Sequence, residues 1–178
     1  MSILGELKEF LGIRIRRNRD KRALELSQEK CIEKLFEKYG FSEAYPQRSP
    51  MATMQVENWA RKMRECVYDG EVQDLDKTEL NAPYREVVGC LLYLAGATRP
   101  DINYAVNFLS RHQVKPTEHE WAMAKRVLRY LKRRKHISLR YTGAENDIQG
   151  YSDASFSDCK GSLTTSGYIV KLFGDVLA

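Results

Sequence analysis

The sequence predicts an α+β chain: an N-terminal β-hairpin and helix, a helical middle, and a C-terminal antiparallel sheet. Three observations carry this. Apolar residues alternate through residues 10–27, the two-residue period of a strand. They then recur every three or four positions after Ser27 and again from Pro83 to Arg134, the period of a helix. Alternation returns in the last forty or so residues, where glycines punctuate short runs.

The elements follow in order. Leu11, Ile13 and Ile15 fall on one side of the first strand, with Gly12, Arg14 and Arg16 opposite. Asn18-Arg19-Asp20-Lys21 supplies turn chemistry, and Ala23-Leu24-Glu25-Leu26 returns as the second strand. The hairpin therefore has one dry face and one basic face. Ser27 is expected to cap the next helix with its hydroxyl, although Lys30 stands where a capping-box glutamate would. Ile32, Leu35, Phe36 and Tyr39 form that helix's stripe, and Gly40 ends it. Residues 45–82 read as a long, mobile connection with Pro46, Pro50 and the acids Glu65, Asp69, Glu71, Asp74, Asp76 and Glu79.

Pro83 opens a second helix at a point where its missing N–H costs nothing. Val87, Val88, Leu91, Leu92, Leu94 and Ala95 wrap it, which predicts burial on several sides. Arg99-Pro100 stops it, since the residue before proline avoids the helical region. Asp101 starts another helix, with Ile102, Ala105, Phe108 and Leu109 as its stripe. Thr117-Glu118-His119-Glu120 is a capping box for a helix reaching about Arg134. Trp121, Ala124, Leu128 and Leu131 line one of its faces; Lys125, Arg129, Lys132 and Arg133 line another. Strands are expected at Ile137–Tyr141, Ile148–Ser152 and Tyr168–Phe173, with Gly143 and Gly161 between them.

Composition bounds the function. With 43% hydrophobic residues, the 178-residue chain can form a core. A net charge of +5 favours a polyanionic partner. Cys31, Cys66, Cys90 and Cys159 lack zinc spacing and read as reduced thiols. The N-terminus meets charge at once, unlike a secretory leader, and the longest apolar stretch, around Val87–Ala97, is too short to span a bilayer. The expectation is a soluble intracellular chain with no membrane partner. Neither a glycine-rich phosphate loop nor a GxSxG nucleophile is present.

Two sets of residues carry candidate chemistry. The hairpin holds Arg14, Arg16, Arg17, Arg19, Lys21 and Arg22, and eight Lys/Arg with no acid lie between Lys125 and Arg140. Such runs suit phosphate, because neutralising a nucleic-acid backbone releases condensed counterions. They equally suit a solvated surface. Asp153 stands at a strand end, a common position for a magnesium ligand, and Asp158 follows across a turn. By spacing alone a turn-forming role is the simpler reading of these aspartates. Trp59, Trp121, Tyr93, Tyr104 and Tyr130 sit at core-like spacings and are expected to pack rather than stack on bases.

Several ordered motifs add a resemblance. Residues 4–13 (Leu-Gly-Glu-Leu-Lys-Glu-Phe-Leu-Gly-Ile) resemble the stretch after the polymerase site of copia-type LTR retrotransposon Pol polyproteins. Tyr84–Leu94 is similar to a helix of the same family. Ala97-Thr98-Arg99-Pro100-Asp101-Ile102 with Ala105–Arg111 is the most specific match, continued by Trp121 and Ala124–Lys132. Gly150-Tyr151-Ser152-Asp153-Ala154 and Thr165-Ser166-Gly167-Tyr168 resemble the opening of that family's ribonuclease H domain.

This resemblance implies a division. Residues 1–45 would be the end of a reverse transcriptase palm, with Phe10, Leu11 and Gly12 in a primer-grip-like hairpin beside Arg14 and Arg16. Residues 46–82 would be a flexible connection. Residues 83–136 would form a helical thumb and connection whose Lys125, Arg129, Lys132 and Arg133 track a template–primer duplex. Residues 137–178 would be an incomplete ribonuclease H-like domain, an antiparallel sheet fragment with Asp153 as first catalytic carboxylate and Mg²⁺ ligand. The implied partners are an RNA–DNA hybrid or DNA duplex and the rest of the Pol polyprotein, in a cytoplasmic particle and the nucleus. The family's Tyr-x-Asp-Asp signature occurs nowhere in the chain, and Ser155 replaces the second aspartate of the family's frequent Asp-Ala-Asp. The chain alone is therefore expected to hold no stable Mg²⁺ and to retain duplex binding without catalysis. The alternatives are a domesticated non-catalytic nucleic-acid-binding module and a piece of a longer active polyprotein.

Overall fold

The computed structural model describes residues 5–52, 81–155 and 164–177. The expected acidic connection, Trp59, Cys66, Asp158, Cys159 and Gly161 lie outside them. Among the described residues the fold is mixed α/β, with two antiparallel sheets and four α-helices. It divides into two units: residues 5–18, 24–51 and 81–140, and residues 19–23, 52, 141–155 and 164–177.

In the first unit the sheet runs β1-β2-β3-β4, with β1 Glu9–Phe10, β2 Ile13–Asn18, β3 Ala23–Ser27 and β4 Leu139–Tyr141. One correction falls at its start. Leu11 does not share a strand with Ile13 and Ile15; Leu11 (φ 48°) and Gly12 (φ 74°) form a two-residue turn, and Phe10 pairs with Ile13. Positive φ at both central positions gives the reversed twist that two-residue hairpins favour. The alternation of Leu11, Ile13 and Ile15 runs from the turn into β2 rather than along one strand. A second correction concerns the run at 137–141. It forms β4 beside β3, not part of the C-terminal sheet.

Helix α1 (Glu29–Tyr39) buries Ile32, Leu35 and Phe36, and Gly40 ends it at φ 73° with its N–H donating to the Phe36 carbonyl. Ser27 does not cap it. Ser27 closes β3, and Gln28 takes the cap position without a side-chain cap bond. The side chain of Gln28 is instead buried, and its Oε1 accepts from Thr98 Oγ1 at 2.8 Å.

Helix α2 (Tyr84–Ala97) starts directly after Pro83, as expected. It buries Tyr84, Val87, Val88, Leu91, Leu94 and Ala95. Glu86, Gly89, Cys90, Tyr93 and Gly96 are exposed. Burial is thus one-sided, not all-round. Leu92 alone extends the stripe, and it is half-buried. A 3₁₀ turn, Pro100–Ile102, leads into α3 (Asn103–Ser110). Helix α4 (Glu118–Arg133) carries the expected capping box, with Thr117 Oγ1 accepting from the His119 amide and Glu120 accepting from the Thr117 amide at 2.8 Å. Its buried face adds Met123, Val127 and Tyr130 to the expected Ala124, Leu128 and Leu131. Each fully buried Leu or Val contributes roughly 1.5–3 kcal/mol. The core of this unit is where α2, α3 and α4 pack together.

In the second unit β5 (Ile148–Ser155), β6 (Thr165–Leu172) and β7 (Asp175–Val176) form an antiparallel sheet in that order. Ile148 pairs with Leu172 and Asp153 with Gly167. Asp175 Oδ2 accepts from the amides of Thr142 and Gly143 at 2.6 and 2.7 Å, tying the entry segment to β7. Most side chains of β5 are exposed.

Candidate nucleic-acid interface

The hairpin turn is clamped from two helices. Cys31 Sγ, on α1, donates to the Gly12 carbonyl at 3.4 Å, and Tyr93 Oη, on α2, donates to the Leu11 carbonyl. Lys30 pairs with Glu9 at 3.0 Å, and the bond from Lys30 holds the Glu9 carboxyl below its usual range. Gly12 is required twice over. Its φ is left-handed, and a Cβ there would lie 2.7 Å from Cys31 Sγ. The turn presents Phe10 and Leu11, 57% and 70% exposed. Tyr93 was expected in the core; it is 45% exposed, and Tyr104 is 60% exposed. Each projects from the outer side of its helix. Tyr130 is buried as expected.

Of the hairpin's six cations, Arg16, Arg17, Arg19, Lys21 and Arg22 are exposed. Arg14 is half-buried and lines a groove of about 220 Å³ with Glu9, Glu29 and Glu33. Arg16 faces Glu25 across the strands at 3.8 Å. The alternation that placed the arginines gave no information about which acids would lie opposite.

Helix α4 carries Lys125, Arg126, Arg129, Lys132 and Arg133 within about 120° of its circumference, from the 3.6-residue repeat. Arg133 is exposed, and Lys125, Arg126, Arg129 and Lys132 are half-buried. Lys125 stacks over the Trp121 ring at 5.6 Å. Residues 42–51 lie along this side. Lys132 Nζ donates to the Ser42 carbonyl, the Gln47 amide donates to the Arg129 carbonyl at 3.1 Å, and Arg126 Nη2 donates to Ser49 Oγ at 3.0 Å. Just beyond α4, Lys135 pairs with Glu33 at 2.8 Å and His136 with Glu29 at 2.6 Å. The bond from Lys135 lowers the Glu33 carboxyl below its usual range.

The motif singled out by resemblance, Thr98–Asp101, has a structural role that the pattern did not reveal. Arg99 is fully buried, and its guanidinium donates to both oxygens of Asp101 at 2.8 and 2.7 Å. Tyr130 Oη donates to Asp101 Oδ2 at 2.8 Å. Burial pushes the Asp101 carboxyl up, but these bonds and the Arg99 charge outweigh it, so its pKa is lowered. Glu120 behaves alike: burial raises it, the Thr117 hydroxyl and amide lower it further, and the net shift is down. Thr98, the next residue back, holds Gln28. Arg99, Thr98 and Gln28 were invisible as a cluster, because Gln28 is seventy residues away from its partner.

Asp153 is exposed on β5, where its Oδ1 accepts from the Ala154 amide at 2.9 Å. Among the described residues no group of three His, Cys, Asp or Glu side chains is placed to hold a metal. Cys31 and Cys90 are free thiols. Among the described residues no helix is long and apolar enough to cross a membrane.

Comparison with known proteins places the chain. It is 32% identical over 179 aligned positions to the retrovirus-related Pol polyprotein from transposon TNT 1-94 of Nicotiana tabacum, covering 100% of this chain and 13% of that protein. It is 37% identical over 169 positions to the Pol polyprotein from transposon RE2 of Arabidopsis thaliana, covering 94% of this chain and 10% of that protein. It is also 42% identical over 96 positions to the secreted RxLR effector protein 161 of Plasmopara viticola, covering 53% of this chain and 68% of that protein. No family model matches the chain, and no solved structure does. Over nearly its whole length the chain is homologous to retrovirus-related Pol polyproteins of copia-type transposons. It spans only about a tenth of the length of the two polyproteins it matches.

Proposed function

We propose that this chain is the duplex-handling part of a reverse transcriptase, running into the start of a ribonuclease H domain, and that it grips the phosphate backbone of an RNA–DNA hybrid or DNA duplex. The observation that carries the reading is the side of α4 where five cations gather without an acid among them. Arginine forks and lysine ammoniums at this density suit phosphodiester oxygens. The exposed Phe10 and Leu11 of the clamped turn offer a second contact, to sugars or a terminal base pair. Such contacts follow the shape of a duplex rather than its sequence.

No catalytic step is assigned to Asp153. Two-metal phosphodiester chemistry needs several converging carboxylates, and among the described residues no group of three His, Cys, Asp or Glu side chains is placed to hold a metal. Within the longer polyprotein Asp153 would serve as one Mg²⁺ ligand of the ribonuclease H site, its carboxylate oxygens being the hard donors that ion prefers. The second reading is a domesticated, non-catalytic nucleic-acid-binding module; a relative not named as a Pol polyprotein shares 42% identity over 96 residues of this chain.

Fluorescence anisotropy with a labelled RNA–DNA hybrid tests the proposal. Binding should weaken steeply with salt, by about 0.7–0.9 in log–log slope for each phosphate neutralised. Replacing Arg133 and Lys125 by alanine should lower that slope by 1–2. Binding that ignores salt, or is absent in low salt, refutes the reading. A cleavage assay with Mg²⁺ should show no turnover; turnover abolished by Asp153→Asn would overturn the non-catalytic assignment.

A further inference from the structure

We infer that residues 42–51 are a strap that occupies the phosphate-facing side of α4 in the free chain and lifts off when a duplex binds. This inference rests on the duplex-binding reading and adds its regulation.

The geometry supports displacement rather than permanent attachment. The strap has no helix or strand of its own. Pro46 and Pro50 cannot donate backbone hydrogen bonds. What holds it to α4 is neutral on the strap side: the Ser42 carbonyl, the Ser49 hydroxyl and the Gln47 amide. The donors it takes up, Lys132 and Arg126, are charged. Both of these bonds have an ionised donor, but a phosphodiester oxygen adds a full opposite charge that a carbonyl or hydroxyl lacks. A phosphodiester oxygen therefore outcompetes a carbonyl or hydroxyl for the same cation. The side of α4 along which the strap lies also holds unsatisfied donors. Arg126 Nε and Arg129 Nε are both buried without a hydrogen-bond partner. A buried, unsatisfied donor is costly. Lifting the strap returns both donors to water or phosphate. Its own acid, Glu43, is exposed and makes no described bond to α4, so no carboxylate locks the cover down.

The strap thus sets a threshold. Arg133, already exposed, can meet a duplex first. The masked Arg126, Arg129 and Lys132 join as the strap leaves. A short or weakly charged strand engages only the open cation, whereas a duplex with successive phosphates in register repays the exchange.

Amide hydrogen exchange on the whole chain, with and without an RNA–DNA hybrid of about twenty base pairs, tests this. The Gln47 amide is the reporter, because its acceptor is the Arg129 carbonyl. With hybrid bound, its exchange should rise about tenfold. Hybrid binding with Gln47 protection unchanged or greater overturns the strap and leaves the binding reading intact. No hybrid binding overturns both. A second arm uses Ser49→Ala with Gln47→Pro, its fold checked by circular dichroism. This chain should bind the hybrid about five- to tenfold more tightly, with a salt slope steeper by 1–2. Equal affinity and slope overturn the strap.

Discussion

Removing the charge of Asp101 is the sharpest test of the buried centre. Arg99 has no solvent exposure, and Asp101 supplies both of its acceptors. Asp101→Asn keeps the shape but leaves a guanidinium charge buried beside a neutral amide. Breaking a fully buried pair this way costs about 3–5 kcal/mol. The Asp101 side chain is 27% exposed, so water offsets part of the loss. The expected cost is about 2–3 kcal/mol, or a Tm about 5–10 °C lower for a chain of this length. Urea unfolding followed by circular dichroism measures it. The second half of the test is Arg99→Met in the Asp101→Asn background. Deleting the stranded charge should restore at least half of the lost stability, giving a clear coupling in a double-mutant cycle. If Asp101→Asn costs under about 0.5 kcal/mol, or if the two losses simply add, the pair is not what holds α2, the 3₁₀ turn and α4 together.

Gly12→Ala should destabilise by about 1–3 kcal/mol, combining a left-handed φ with a Cβ pressed on Cys31 Sγ. Adding Cys31→Ala should recover the steric share only, leaving about 1 kcal/mol in a thermal melt. Thr117→Ala removes the side-chain half of the α4 capping box, leaving the backbone amide of residue 117 bonded to Glu120, and should cost about 1 kcal/mol in the same assay. The pH dependence has a defined sign. Asp101 and Glu120 are both lowered in the folded state, so the unfolded chain binds their protons first. Their stabilisation is complete above the ordinary carboxylate range, about 4, and is lost as pH falls below it through the folded values. Acid titration of the unfolding free energy should show this, and Glu120→Gln should flatten the slope.

Local chemistry was legible wherever a few neighbouring residues decide the outcome. Thr117 and Glu120 are three apart and cap one helix end, so the start of α4 could be read directly. Gly40 needs only the preceding turn, and Pro83 only its own ring. The ordered motifs identified the family, because homology preserves residue order even where no physical rule links the residues. Reading failed where two facts about distant residues had to be combined. Leu11-Gly12 satisfied strand alternation, but the clamp from Cys31 and Tyr93 belongs to helices twenty and eighty residues on. Ser27 had the chemistry of a cap, but β3 pairing claimed it first.

The sequence by itself determined the helix periods, the capping box of α4, the kinship to Pol polyproteins and the presence of a strongly basic helix face. Tertiary structure alone decided which cations are spoken for. Charge counting treats every Lys and Arg as facing water, whereas a cation's partner is set by whichever segment packs against it. Here Arg99 is drawn inward by Asp101, Arg14 sits among three acids, and residues 42–51 lie along the basic side of α4. Of the nine residues the sequence proposed for nucleic-acid contact, Phe10, Leu11, Arg16 and Arg133 face solvent, Gly12 shapes the turn, and Arg14, Lys125, Arg129 and Lys132 are half-buried.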